Sequence, residues 1–521
     1  MTLFAATFFG LKRALALSGR CIRWIFGSIL WPYMRAYHGA RRIAPWALAA
    51  FLLHSAYWSL RWQFYRHSAI GRGVTLDLPT PPPSPIADSL NFAAADGPFA
   101  PHFQKAAADE QYARWLDLSG INLLAFPDLD KGKRATIEES YIQAALSSPP
   151  IDKNAPRTAA DFIRFFDRKY ATEWPAVLAA EAKSEARFPI APAMEDGTSV
   201  PYPQLRRAAQ LHCLRAMALL ELGRHEEARD EIHGALRLVH VLQNSGDPDF
   251  SSYMISIAFS GIVVEPLWEG LVDQRWSAAD LAALQEELSA LHPEAGWTAA
   301  VDHERAWENS VFDELASVSP QRRYKALEQR RSDLRKDGNA ALFWLAGLSN
   351  GLIRENQLVA NEAADQARHA ISSEGLWRPN PSSPQDLDHR RERSKDVLAD
   401  LVAVPYSRSA CRVAGIITRL RQASVAIALE RYRLQTGELP ERLDTLAPRL
   451  MPEIPRDPVT GDPIRYVRES EQTYRLLCAS SNGVPGILQP RDTMYVPSDN
   501  GPDFIWHGLA PEASRTAMAA R

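Results

Sequence analysis

The residues best suited to chemistry lie in "DHERAWENSVFDE", residues 302–314, where Glu304 and Glu308 stand one helical turn apart with His303 beside them. Carboxylates at i and i+4 share a helix face, so they could hold a metal together or work as an acid/base pair. The zinc-helix arrangement His-Glu-x-x-His is missing, and the spacing also suits a solvated helix face, which is the expectation for this segment. In "HEEARDEIH", residues 225–233, the two histidines are eight apart. That puts them roughly 80° apart around a helix and about 12 Å apart along it, too far to clasp one ion. "DLDKGKRATIEE", residues 128–139, places Gly132 where a calcium loop needs a side-chain oxygen, and Thr136 with Glu139 reads as a capping box. The arginine-rich stretch 321–336 is interrupted by Glu328 and Asp333 and has few aromatics, so it reads as a solvated helix rather than a nucleic-acid surface. The chain has no P-loop and no G-x-G-x-x-G turn. No catalytic, cofactor-binding or metal residue is assigned, no cofactor is expected, and Glu304 with Glu308 is the least poor pair for an enzyme.

Charge and cysteine content narrow the classes further. The 59 Lys+Arg nearly balance the 62 Asp+Glu, which leaves no global basic field to attract nucleic acid. Cys21, Cys213, Cys411 and Cys478 are far apart, with no C-x-x-C pair, so buried free thiols are expected, with Cys213 in a helix and Cys478 in a strand.

The elements that would carry these residues are mostly helices. From Leu205 to Val239, Leu205, Ala209, Leu219 and Leu222 form one apolar face, Gly223 breaks the helix, and Ala228, Ile232, Ala235 and Val239 recur at three or four residues in a second. "LLELGRHEEARDEIHGALRL" resembles the second half of a tetratricopeptide repeat, with Gly223 at the turn and Ala228 and Ala235 at the small positions. "WSAADLAALQEELSAL", residues 276–291, predicts a helix capped by Ser277 with a stripe of Leu281, Leu284, Leu288 and Leu291. Because the 34-residue period does not recur visibly, an irregular helical array is expected over 101–408.

The N-terminal end reads as a membrane anchor. Ile43 to Leu60 contains no Asp, Glu, Lys or Arg, and its eighteen residues cover roughly 27 Å as a helix, enough for a hydrocarbon core. Trp46, Tyr57, Trp58 and Trp62 suit the interfaces. Lys12, Arg13, Arg20, Arg23, Arg35, Arg41 and Arg42 precede the run, and only Arg61, Arg66 and Arg72 follow it closely. That excess predicts a cytoplasmic N-terminus, with the bulk of the chain periplasmic. Residues 1–34 suit a basic amphipathic helix on anionic headgroups. "LPTPPPSP", residues 78–85, within a linker over 71–100, favours an extended spacer.

Beyond residue 409 the pattern changes. Val413, Ile416, Leu420, Ala423, Ile427 and Leu434 predict one long helix over Arg412–Leu434, ended by Gly437. Leu439, Leu443 and Leu446 fold back among prolines, and "RDPVTGDP" forms a turn in which Asp457 accepts bonds from the following amides. "PIRYV", "TYRLLC" and "DFIWHGL" read as three strands, with Tyr474, Leu476 and Cys478 on one buried face. Together these residues, notably Tyr432, Gly437, Leu439, Pro440, Pro455, Asp457, Pro458, Gly461, Pro463, Tyr466 and Tyr474, make 409–521 resemble the C-terminal part of type II secretion pseudopilins. They also resemble the end of membrane-anchored bacterial proteins with a long helical middle. "FFGLKRALAL" lacks the prepilin glutamate, and "ASSNGVPGILQPRD" keeps Asp492 but few carboxylates, so the resemblance implies a shared small α+β fold and neither pilus assembly nor calcium.

The sequence therefore predicts a mainly α protein of four parts. Residues 1–70 hold a basic segment and a single transmembrane helix at 43–60. A proline-rich linker follows at 71–100, then a repeat-like helical domain at 101–408, then a small antiparallel α+β domain at 409–521. The expected role is a bacterial inner-membrane interaction or scaffold protein, with the lipid bilayer and a protein as partners and no nucleic acid. A non-assembling component of a secretion or pilus-like system and an enzyme of unrecognised class are the alternatives.

Overall fold

Gly223 ends the first helix of the 205–239 hairpin in the left-handed region, at φ +74°, where a side chain would be strained. The hairpin forms as its apolar spacing predicts. In the computed structural model, which describes residues 31–77, 86–94, 159–187, 202–243, 250–319, 322–323, 350–378, 406–479 and 504–508, the chain is mainly helical with a small antiparallel sheet. The helices are α1 (Trp31–Gly71), α2 (Ala159–Lys169), α3 (Glu173–Glu181), α4 (Tyr202–Glu221), α5 (His225–Gln243), α6 (Phe250–Val272), α7 (Ala278–Ser289), α8 (Pro293–Ser317), α9 (Asn350–Arg368) and α10 (Tyr406–Thr436). Strands β1 (Arg465–Arg468), β2 (Tyr474–Cys478) and β3 (Phe504–His507) follow. The calcium-like segment 128–139, the linker 78–85 and most of the arginine-rich stretch 321–336 lie outside the described residues.

The chain divides into two compact units. The first comprises 1–68, 314–358 and 394–401, and the second 69–313, 359–393 and 402–521. In the second, α6 packs against α4, α5 and α10. By length and composition α6 could cross a membrane, yet 78% of its apolar window is buried inside the protein. It is a core helix, and Val263, Val264, Leu267 and Trp268 lie at the centre of the hydrophobic cluster. On α7 the Ser277 hydroxyl accepts from the Asp280 amide at 3.1 Å while Asp280 reaches back to Ser277, a closed capping box. The predicted stripe Leu281, Leu284, Leu288 and Leu291 is buried.

Residues 409–479 share that core rather than building one apart. α10 lies on α6 and α7, with Val413, Ile416, Leu420, Ala423 and Ile427 buried and Leu434 exposed. Gln422 Nε2 donates to the Leu476 carbonyl at 3.2 Å, fastening the sheet to the helix. The strand order is β1-β2-β3, all antiparallel, with Arg465 opposite Leu477 and Cys478 opposite Phe504. Tyr474, Leu476 and Cys478 are buried, as their alternation predicts. Asp457 is a turn residue: Oδ1 accepts from the Val459 amide at 2.8 Å and Oδ2 from the Ala479 amide at 2.6 Å. Cys213, Cys411 and Cys478 are buried, as expected.

In the first unit α1 is the main element. Its interior-facing side holds Ser55 and Trp62, which meet the start of α9. Gly351 lets the two backbones approach, since a side chain there would lie 2.5 Å from Ser55 Cα. The Gly351 amide, one of the unmatched donors of a helix start, donates to Ser55 Oγ at 3.1 Å. Arg323 supports this end from below, bonding the Leu315 carbonyl at 2.6 Å and Asn350 Oδ1 at 2.6 Å. The side chains of residues 31–48 are outside those described.

Candidate functional site

Glu304 and Glu308 are not on a solvated face. Glu304 is 8% exposed and Glu308 fully buried, a correction to the expectation for 302–314. The reason is that α8 is apolar on several sides: Trp297, Ala300, Val301, Val311 and Phe312 are all buried around them. What meets the carboxylates is α10, whose Tyr406 hydroxyl donates to Glu308 Oε1 at 3.1 Å. Burial, then the nearby Glu308 and Glu304, push the Tyr406 phenol far above its ordinary range, so it stays a proton donor at any physiological pH. Such a phenol is a clamp between α8 and α10, not a base or a nucleophile.

The same helix continues the polar layer. Arg305, fully buried, reaches Asp365 at 3.0 Å, and Arg368 meets Asp302 at 2.9 Å, tying α8 to α9. One turn on, Asn309 and Asn361 exchange amide bonds of 3.2 and 2.7 Å, and Asn309 Nδ2 also lies 3.3 Å from the Leu76 carbonyl. Both amides are buried, so each bond satisfies a group that would otherwise cost about 1–3 kcal/mol.

A second polar centre was not legible in the motifs. His212 on α4, completely buried, contacts Glu231 Oε2 through Nδ1 at 2.8 Å and Glu181 Oε1 through Nε2 at 2.9 Å. Burial pulls its pKa down, but Glu181 and then Glu231 outweigh that and raise it to about 10, so the imidazolium persists at neutral pH. Arg215 Nε donates to the other Glu231 oxygen at 2.7 Å, and its Nη1 to Asp167 Oδ1 at 2.8 Å. Although burial opposes it, His212 and Arg215 hold the Glu231 carboxyl below its usual range. Trp174 lies 4.5 Å from the imidazole, ring centre to ring centre. Gly234 on α5 leaves the space that His212 fills, because a Cβ there would lie 2.4 Å from His212 Cε1. The glutamate of "HEEARDEIH" that matters is thus Glu231, whereas His233 at its end meets Glu287 at 3.0 Å on the surface.

A third acidic group lies on α6. Glu265 faces Arg419 at 3.4 Å. One turn further, burial and the neighbouring Glu265 and Asp273 push the Glu269 carboxyl up to about 8. Among the described residues, no group of three or more His, Cys, Asp or Glu side chains is placed to hold a metal.

The strongest exposed feature is in the first unit. On α1, Leu53, Tyr57, Leu60 and Phe64 recur at four, three and four residues, and their exposures are 71%, 53%, 70% and 79%. Four large apolar side chains on one helical ridge are thus open to solvent, which sets this ridge apart from singly scattered surface apolar residues. The chain matches no known family model, no curated protein and no solved structure.

Proposed function

We propose that this protein is a membrane-anchored, extracytoplasmic interaction or scaffold protein of the bacterial inner membrane, with α1 as its anchor. The observation that carries this reading is the outward apolar ridge of Leu53, Tyr57, Leu60 and Phe64 on a 41-residue helix that contains the uncharged run Ile43–Leu60. Packing supports it further: Ser55, inside that run, is answered by the Gly351 amide of its own unit. In the second unit several buried charges, among them His212, Arg305 and Glu265, bind helix to helix, which suits a rigid platform of the kind that helical arrays offer to protein partners. The reading is tested by fractionating cells and washing membranes with alkaline carbonate, together with reporters fused at Arg521. Retention in the washed membrane and activity of a periplasm-dependent reporter are expected. Release by carbonate, or a reporter active only in the cytoplasm, overturns the anchor or its orientation.

A role beside a secretion or pilus-like system is a narrower form of this reading. It draws on the order of α10, proline-rich return and antiparallel sheet, and predicts co-purification with secretion components after crosslinking in cells. The enzyme reading draws on the burial of Glu304 and Glu308, and predicts a ligand whose binding is lost in Glu304→Gln without loss of fold.

A further inference from the structure

His54 lies in the uncharged run of α1 and faces α9, where Gly351 and Glu355 stand one helical turn apart. A Cβ on Gly351 would come within 3.1 Å of His54 Nδ1, so one edge of the imidazole lies against the α9 backbone. The other ring nitrogen, Nε2, has two neighbours. From its own helix the Trp58 indole Nε1 donates to it at 3.1 Å, and from α9 the Glu355 carboxylate lies 3.6 Å away. An indole nitrogen only donates, so the first contact uses the Nε2 lone pair and places the ring proton on Nδ1. The second becomes an ion pair only when Nε2 itself carries a proton. One nitrogen cannot do both. The charged groups that face this junction among the described residues are Glu355, Arg354, Arg61 and Arg323. Arg61 lies over the Trp58 ring at 5.5 Å, Arg354 over Trp62 at 5.9 Å, and Arg323 bonds Asn350 and the end of α8. Of the four it is Glu355, 8% exposed, that stands within ion-pair reach of His54.

We infer that His54 is a proton-operated latch between α1 and α9. Neutral, it is tied back to Trp58 on its own helix. Protonated at Nε2, it can no longer accept from the indole, and the imidazolium reaches across to Glu355. Closing from 3.6 Å to the roughly 2.8 Å of a charge-assisted bond takes a ring shift of about 0.8 Å. The Gly351 amide already bonds Ser55 Oγ at 3.1 Å, so the new pair adds a second clasp one turn along α9. Imidazole suits the task because its ordinary charge change falls between about pH 5 and 8. The side chain is 41% exposed, which leaves the proton a path in. The latch stands on the packing of α1 with α9 and holds whether or not α1 crosses a bilayer. Within a membrane-spanning helix ionisable side chains face protein and pair there, so the anchoring role accommodates the same contact. Acid therefore tightens the grip of α1 on α9, and neutral pH relaxes it.

The test follows the full chain in detergent micelles between about pH 8 and pH 5, by hydrogen exchange and fluorine NMR. Protection factors at the start of α9, corrected for the intrinsic effect of pH on exchange, should rise roughly two- to fivefold on acidification. Trp58 carrying a 5-fluoro label should shift its resonance over the same range as the indole loses its acceptor. His54→Gln should abolish both responses. Glu355→Gln should keep the fluorine shift and abolish the gain in protection. His54→Gln, at a half-buried position, serves alone if loss of the buried carboxylate disturbs α9. A fluorine shift without a gain in protection in the native chain means that the proton is taken up without the crossing, which overturns the latch. A gain in protection that survives His54→Gln, or the absence of both responses, overturns it as well. None of these outcomes bears on the anchor, which the carbonate wash decides.

Discussion

The two units differ in what they show to solvent. In the second, charged and polar groups are carried inside and answered there: His212 by two carboxylates, Arg305 by Asp365, and the Asn309 amide by that of Asn361. In the first, apolar side chains are carried outside, along Leu53, Tyr57, Leu60 and Phe64. Buried charges fix which helix meets which, because removing either partner leaves the other desolvated. An exposed apolar ridge fixes nothing within the fold and is free to serve something beyond it. Function is therefore sought on α1, and specificity of folding around His212 and Asn309.

The contrast can be broken most sharply at His212. His212→Ala leaves Glu181 and Glu231 facing each other in a dry site, and a loss of about 3–5 kcal/mol in denaturant unfolding is expected. An unchanged midpoint would mean water or another cation already shares the site. Gly234→Ala attacks the same centre from α5 by forcing the imidazole aside, with an expected loss of about 1–3 kcal/mol. Asn361→Ala should cost about 1–3 kcal/mol by orphaning the Asn309 amide, and Asn309→Ala combined with it should cost less than the sum of the two.

The pH response sharpens the comparison further. The folded His212 has its pKa raised to about 10 from an ordinary 6.5. Its stabilisation is therefore complete below pH 6.5 and is lost as pH rises toward 10. Thermal unfolding followed across that window should fall in the native protein, and the fall should flatten in His212→Gln. The smallest effect on folding is expected from Leu53→Ser with Phe64→Ser, within about 0.5 kcal/mol per site, because both side chains are already in solvent. The same pair should weaken membrane retention, and a large loss of stability instead would show that the ridge is covered by protein.

Local structure was legible where one rule dominated. Ser277 three residues before Asp280 specified a capped helix, Gly223 specified a turn, and the alternation of Tyr474, Leu476 and Cys478 specified a buried strand face. Each depends on neighbours in the chain, and spacing records neighbours. The environment of Glu304 and Glu308 was not legible, since an i, i+4 carboxylate pair looks alike in water and against Tyr406, 98 residues from Glu308. The clue lay in Val311, Phe312 and Leu315, which leave α8 with too little polar surface for a solvated face. His212, Glu181 and Glu231 come from three helices and have no spacing in common. Their one trace in the sequence is Gly234, a residue that weakens a helix interior by roughly 0.5–1 kcal/mol unless something fills its place. His212 does.

α6 sets a condition on how the protein is made. The side of this 23-residue apolar helix that meets α10 stays uncovered until α10 exists, and Arg419, the partner of Glu265, lies 154 residues downstream. At ribosomal speeds of about 5–20 residues per second that is an interval of roughly 8–30 s. For that time the nascent chain displays an apolar helix whose α10 partner is still unsynthesised, and a holdase chaperone has both the opportunity and the surface to bind it.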